Sequence, residues 1–134
     1  VKGMSQYISR KSDSTSKVPT QELRKDVWTS IEASGLVELV PNESSNFGAF
    51  WAAYLNVKSP SIGGATELVI RWVRDPKGIN DATGYETKPL VKGGTTFIKD
   101  HWLFQAKKGQ PVVFQVKANG KATVTTRETK LAIS

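Results

Sequence analysis

The sequence predicts an all-β protein, mainly an antiparallel β-sandwich for which the jelly roll is one natural form, with an extended N-terminal arm. About eight short runs rich in β-branched and aromatic residues recur along the 134 residues. Turn-forming Gly, Pro and Asn separate these runs at regular intervals. No alternation of strands with helices and no internal repeat is present, which disfavours a parallel sheet.

Residues 1–21 are polar and rich in Ser, Thr and Lys, which predicts an extended arm in front of a single domain at residues 22–134. Such an arm either extends freely or docks onto a neighbouring subunit, and the sequence leaves both open. The residues of the arm that we expect to contact a partner are Tyr7, Ile8, Arg10, Lys11 and Lys17.

Residues 22–40 allow two interpretations. Leu23, Val27 and Ile31 fall at helical spacing, which would give a short helix over residues 21–33. Alternatively, residues 27–31 and 36–40 are two strands with a turn at residues 33–35. The β-forming side chains favour the strands, but the choice for residues 22–34 stays open.

Two clearer strands follow. Residues 49–57 read as a strand buried on one face. Residues 66–74 alternate, with Leu68, Ile70 and Trp72 facing one way.

After a loop at residues 75–84, residues 95–105 are predicted to form a strand with Ile98, Trp102 and Phe104 on one face. Residues 112–117 and 122–127 are predicted to pair around Asn119-Gly120, a dipeptide that favours a type I′ hairpin turn. In the loop, Asp75, Asn80 and Asp81 could offer oxygens to calcium, but the spacing is not that of an EF-hand, and ordinary turn chemistry is favoured.

Catalytic chemistry finds little support in the sequence. There is no cysteine and one histidine, His101, and strand alternation places its neighbour Asp100 on the opposite side of the sheet. The remaining carboxylates are scattered, without a spacing that would pair two across a cleft. We therefore predict no enzyme, no catalytic residue, no cofactor and no metal site.

Charge is uneven along the chain. Residues 1–25 hold six Lys or Arg and two acids, residues 26–87 hold four and eight, and residues 88–121 hold seven and one. Basic ends could bind nucleic acid, but lysines also keep sheet edges soluble, so a nucleic-acid partner is disfavoured. No apolar run is long enough to span a membrane, and no signal-peptide core follows the N-terminus.

Exposed aromatic side chains could instead stack on a sugar. Trp72 and Trp102 alternate with aliphatic residues and are expected in the core. Trp28, Trp51 and Tyr54 are the candidates for a sugar-stacking platform.

Residues 71–85 (RWVRDPKGINDATGY), the His101-Trp102 strand and the Asn119-Gly120 turn resemble virion proteins of tailed bacteriophages, namely capsid decoration (cement) or minor tail β-sandwich modules. The resemblance implies a non-enzymatic, homo-oligomeric virion component assembled in the host cytoplasm, which binds neighbouring capsid or tail subunits through its arm and sheet surface. Whether it belongs to head or tail stays open. The alternative is a carbohydrate-binding β-sandwich that adheres to host glycans.

Overall fold

The computed structural model describes the backbone of residues 6–11, 20–31, 38–39, 45–74, 82–106 and 112–133, and the side chains of residues 20–31, 54–73, 85–100 and 113–127. These residues form two antiparallel β-sheets and no helix, which confirms the predicted fold class. In chain order the strands are β1 (Gln6–Lys11), β2 (Thr20–Leu23), β3 (Thr29–Ser30), β4 (Glu38–Leu39), β5 (Ser45–Lys58), β6 (Glu67–Arg74), β7 (Ala82–Pro89), β8 (Thr95–Ala106), β9 (Val112–Ala118) and β10 (Ala122–Ile133).

Among the described residues, each sheet has five strands. Sheet A has the order β1-β10-β5-β8, and β2 pairs with β10 beyond the end of β1. Sheet B has the order β3-β9-β6-β7, and β4 also pairs with β9. From β5 onward the chain changes sheet at every step except between β6 and β7. This exchange of strands between two packed sheets is typical of Greek-key and jelly-roll sandwiches.

The core lies between the two sheets. The predicted alternation of β6 is confirmed, because Leu68, Ile70 and Trp72 are at most 1% exposed. Leu55 and Val57 of β5 are completely buried. Alternation then directs every second side chain of these strands away from the core. The buried apolar set also includes Leu23, Ile31, Leu90, Ile98, Phe114, Val116 and Val124.

The predicted hairpin around Asn119-Gly120 is wrong, because β9 belongs to sheet B and β10 to sheet A. The Asn119 carboxamide oxygen accepts hydrogen bonds from the backbone N–H groups of Thr66 (2.8 Å) and Glu67 (3.1 Å). At Gly120 a Cβ would lie 2.8 Å from the Ala65 nitrogen. Asn and Gly are therefore used here for side-chain bonding and close packing, and not for the left-handed conformation that a type I′ turn requires.

Strand β7 was not predicted, because Gly84 and Pro89 lie in a segment that the sequence places partly in a loop. The strand occupies an edge of sheet B and pairs only with β6 among the described strands. An edge strand tolerates Pro and Gly, since one row of its backbone groups has no partner in the sheet. Residues 75–81, for which ordinary turn chemistry was favoured over calcium binding, lie outside the described residues.

Between residues 20 and 39 the strand interpretation holds in part. Thr20–Leu23, Thr29–Ser30 and Glu38–Leu39 are short strands, and a helix over residues 21–33 is excluded by β2 and β3. The first and second predicted strands do not form a hairpin, because β3 and β4 both pair with β9. Strand β9 is longer than β3 or β4, so its edge has enough unpaired backbone groups to hydrogen-bond with both short strands.

Part of the predicted arm lies in the sandwich. Gln6–Lys11 forms β1, which pairs antiparallel with β10 from Gln6↔Ile133 to Lys11↔Glu128. Thr20 and Gln21 begin β2. Residues 6–11 and 20–21 therefore do not extend away from the domain as part of an arm. They pair with the same edge of β10, as β1 and the start of β2. Residues 12–19, with Lys17, lie outside the described residues.

No helix in the described part of the chain has the length and apolar character needed to span a membrane.

Candidate functional site on the outer face of sheet B

An aromatic and cationic cluster lies on the outer face of sheet B. We call it the Trp28 cluster; its members are Trp28, Arg71, Tyr85, Gln115 and Lys117. Arg71 of β6 pairs in register with Tyr85 of β7 on one side and with Gln115 of β9 on the other. Because their chain neighbours Ile70, Trp72, Phe114 and Val116 are buried, alternation places Arg71, Gln115 and Lys117 on the outer face.

A tight turn between the sheets positions Trp28. Asp26 adopts a left-handed conformation (φ 58°), which Asp tolerates better than most residues. Its backbone N–H donates to the Ala118 carbonyl at 2.8 Å, at the end of β9. The Val27 backbone N–H donates to the Arg24 carbonyl oxygen at 3.3 Å. The chain thus leaves β2 in sheet A and delivers Trp28 to the edge of sheet B, directly before β3.

The Trp28 ring contacts two cations and one aromatic ring. The Arg71 Cζ atom lies 3.8 Å from its centroid and the Lys117 Nζ atom 4.9 Å from it. The Tyr85 ring centroid is 6.1 Å away, at an interplanar angle of 55°. Cation–π contacts of this kind contribute about 0.5–1 kcal/mol each at partly exposed sites. The contacts hold the cationic side chains against the sheet.

Hydrogen bonds fix the polar members of the cluster. Arg71 Nε donates to Gln115 Oε1 at 2.8 Å, and Gln115 Nε2 donates to Ser30 Oγ at 3.2 Å. Gln21 Nε2 donates to the Ser30 carbonyl at 2.9 Å. This chain of bonds connects β2, β3, β9 and β6 and orients the Arg71 guanidinium group.

The cluster is accessible from one side. Tyr85 is 63% exposed, and Trp28, Arg71, Gln115 and Lys117 are half-buried. The described carboxylates do not form an ion pair with Arg71 or Lys117. The arrangement can present an aromatic surface, an amide and two unneutralised cations to a ligand.

The outer face of sheet A carries a second, simpler aromatic pair. Tyr54 of β5 and Phe97 of β8 have nearly parallel rings, with an interplanar angle of 8° and centroids 6.4 Å apart. Arg127 Cζ lies 5.5 Å from the Phe97 ring centroid, and Phe97 is 53% exposed. No hydrogen-bond chain comparable to that around Arg71 joins Tyr54 and Phe97 in the described residues.

The three predicted sugar-stacking residues are not brought together. Trp28 lies on the outer face of sheet B and Tyr54 on that of sheet A, so the core separates them. Trp51 pairs in register with Trp102 and Leu131 in sheet A, and its side chain lies outside the described set.

The predicted partner-binding residues of the arm lie in β1, apart from Lys17. Their register partners in β10 are Ala132 for Tyr7, Leu131 for Ile8, Thr129 for Arg10 and Glu128 for Lys11.

Sequence reasoning missed the rest of the Trp28 cluster. For Arg71 the sequence did hold a signal, because alternation in β6 placed its side chain on the face that points away from the core. Tyr85 could not be found, because β7 itself was not predicted. Trp28 joins Arg71 through pairing between distant segments, which a single sequence does not reveal.

One ion-pair network joins the two sheets at their β7 and β8 edges. Lys88 Nζ lies 3.0 Å from Glu86 Oε1 and 3.8 Å from Asp100 Oδ2. The hydrogen bond to Glu86, together with the charge of Asp100, raises the pKa of Lys88 above its ordinary value. Asp100 is 8% exposed, and no cluster of three or more potential metal ligands occurs among the described side chains.

A groove of about 500 Å³ lies at one end of the sandwich, beside β2 and the start of β10. It does not include any member of the Trp28 cluster. Long charged side chains form much of its wall. Its lining residues are Glu22, Leu23, Arg24, Lys25, Pro60, Lys121, Ala122 and Thr123.

Comparisons with known proteins identify similar folds and no family. No family model and no curated protein matches the sequence. Among solved structures, the Eiger TNF of S. frugiperda is similar with a TM-score of 0.64 and 6% identity, over 96% of this chain and 91% of that one. A Cellvibrio mixtus lichenase 5A carbohydrate binding module, solved in complex with cellotriose, has a TM-score of 0.47 and 15% identity, over 98% and 90%.

The xylan-binding domain CBM22-1 of Paenibacillus barcinonensis Xyn10C has a TM-score of 0.40 and 11% identity, over 98% and 96%. At such identities the likeness concerns the fold alone, and of these three structures the TNF has a TM-score above 0.5. The chain is thus an antiparallel β-sandwich of the jelly-roll type.

Proposed function

We propose that this chain is a non-enzymatic binding module that holds a glycan on the Trp28 cluster. The observation that carries the proposal is the exposed Tyr85 ring beside Trp28, flanked by oriented hydrogen-bonding groups on a firmly paired sheet. Ligand sites combine apolar or aromatic surface with a few polar groups that fix orientation. Aromatic rings with a polar edge suit ligands that alternate C–H faces with hydroxyl groups.

The polar part of the cluster supports a hydroxyl-rich ligand. The Gln115 amide and the Arg71 guanidinium keep donors and acceptors beyond the bonds that hold them. Their side chains are fixed by packing and hydrogen bonds before any ligand arrives. Binding therefore costs less side-chain entropy than it would with free surface residues.

Replacing Tyr85 with Ala tests the proposal. On a glycan array, the wild-type chain is expected to bind a defined set of glycans. Tyr85→Ala is expected to weaken that binding about fivefold or more, taking as a guide the about 1–3 kcal/mol that a base stacked on an aromatic side chain contributes. The matched control is Phe97→Ala, because Phe97 is also an exposed strand aromatic but lies on the other sheet.

Two results would count against the proposal. Wild-type chain that binds no glycan on the array would remove its basis. Binding lost in Phe97→Ala but kept in Tyr85→Ala would move the site to sheet A.

A second proposal is an assembly role, as in the capsid or tail of a bacteriophage particle, and β1 favours it. This strand lies at the edge of sheet A with one neighbour, β10, among the described strands. An edge strand can pair with a strand of another subunit, or its equivalent can be exchanged between subunits. Arg10 and Lys11 lie in this strand.

Light scattering coupled to size-exclusion chromatography tests the assembly role. The wild-type chain is expected to form a closed homo-oligomer, and Arg10→Glu with Lys11→Glu to shift it toward monomer by charge reversal at the edge. A wild-type chain that stays monomeric at high concentration would rule against this proposal.

A further inference from the structure

We infer that the ligand of the Trp28 cluster is an anionic glycan, one that carries a carboxylate or sulfate group bound by Arg71 and Lys117. The inference rests on the proposed function and narrows it. Its starting point is charge. Both cations lie within 5 Å of the Trp28 ring centroid, and none of the described carboxylates neutralises either of them.

The position of these cations carries a cost that a ligand could relieve. Arg71 and Lys117 occupy neighbouring strands, and both lie within 5 Å of the same ring centroid. Like charges held close together repel one another. An anion bound by both side chains would offset that repulsion, whereas a neutral sugar would not.

The geometry of Arg71 suits a planar anion. Its Nε donates to Gln115, and its Cζ atom lies 3.8 Å from the Trp28 ring centroid. No described residue accepts from its two terminal nitrogens. Those N–H groups form the fork that binds carboxylates in a bidentate manner, and sulfate offers the same pair of oxygens. Stacking on an aromatic ring leaves the edge of the fork free.

The hydrogen-bond chain behind Arg71 makes this a built arrangement. Gln115 is itself held by Ser30, and the Ser30 carbonyl accepts from Gln21. A guanidinium that served only to solvate the surface would not need three further residues to orient it. Fixing the fork in advance is what gives a bidentate site its selectivity.

The experiment compares three probes on the 134-residue chain by isothermal titration calorimetry. They are a uronic-acid oligosaccharide, the same oligosaccharide with its carboxylates methyl-esterified, and a sulfated neutral oligosaccharide. The acidic sugar is expected to bind at least about fivefold more tightly than its ester. A hydrogen bond to a charged group contributes about 1 kcal/mol more than one between neutral groups, which is about fivefold in affinity. Binding is also expected to weaken several-fold between about 50 mM and about 200 mM sodium chloride.

Two variants and one control locate the effect. Arg71→Met and Lys117→Met are each expected to erase most of the preference for acid over ester, while Lys99→Met, an exposed lysine on sheet A, leaves it intact. Because Met retains the aliphatic packing on Trp28, the fold should survive, and circular dichroism of each variant checks that it does.

The outcomes separate the two proposals. Equal affinity for acid and ester, with loss in Tyr85→Ala, would overturn the anionic inference and leave glycan binding in place. Failure to bind any of the three probes would overturn both. The sulfated probe binding in place of the uronic acid would support the inference and identify sulfate as the anion. A preference for acid that survives Arg71→Met would place the anion site elsewhere.

Discussion

At the scale of single residues, Asn119 shows most clearly where the prediction from the sequence differs from the structure. In the sequence, Asn119-Gly120 is typical of a hairpin turn, because both residue types tolerate the left-handed backbone conformation that a type I′ turn requires. In the structure, Asn119 Oδ1 accepts from two backbone N–H groups, and its Nδ2 donates to Thr66 Oγ1 at 3.0 Å. These bonds join the β9–β10 connection to the start of β6. The dipeptide could not distinguish the two roles, because the deciding partners lie over fifty residues away.

Replacing Asn119 with Gly separates the two roles experimentally. A type I′ turn accepts Gly-Gly readily, so a hairpin would lose little stability. In the observed connection three hydrogen bonds disappear, and we expect the free energy of unfolding to fall by about 1–2 kcal/mol. Chemical denaturation measures the change.

Asn119→Asp is the matched control for this experiment. It keeps an acceptor for the two backbone N–H groups and should cost less than Asn119→Gly. Equal stability of Asn119→Gly and the wild type would contradict the observed connection.

At the scale of elements, regular alternation was enough to predict the interior strands and the long edge strand β8, but not the edge strand β7. Strand β6 is flanked by β7 and β9, so its pattern of Leu68, Ile70 and Trp72 directly reflects burial. The edge strand β7 has no such pattern to display, and Gly84 and Pro89 made it resemble a loop. Strands β3 and β4 are two residues each, too short for any periodicity.

The contact between the β7 and β8 edges gives a pH prediction. The folded-state pKa of Lys88 is raised above 10.5, first by its hydrogen bond to Glu86. The stability that Lys88 adds is therefore fully present below about pH 10.5 and is lost as the pH rises through the folded-state pKa. Since the Lys88 side chain is 29% exposed, we expect its contribution to be about 1 kcal/mol or less.

Thermal unfolding of the wild type and Lys88→Gln over a pH series checks this. The difference in midpoint should be steady from neutral pH to about pH 10 and should shrink above the ordinary lysine pKa of 10.5. Lys92→Gln, in the exposed connection between the same strands, controls for a general change of charge. A difference that grows above that pH would contradict the raised pKa.

At the scale of the whole molecule, the sandwich separates two outer faces that the sequence could not assign. Aromatic candidates were recognisable from composition and local pattern, but the candidate platform of Trp28, Trp51 and Tyr54 mixed residues of both sheets. The order of the strands decides which aromatic lies beside which cation. That order depends on pairings such as Arg71 with Gln115, forty-four residues apart, which alternation alone does not specify.

The central claim is that the ligand binds the outer face of sheet B. The most direct measurement is a titration of the isotope-labelled chain with the uronic-acid oligosaccharide and with its methyl ester, followed by the shifts of the backbone amide resonances. We expect saturable shifts confined to β3, β6, β7 and β9 and the segment at Trp28, larger for the acid than for the ester. Shifts confined to β5 and β8 around Tyr54 and Phe97, or no saturable shift with either sugar, would contradict it.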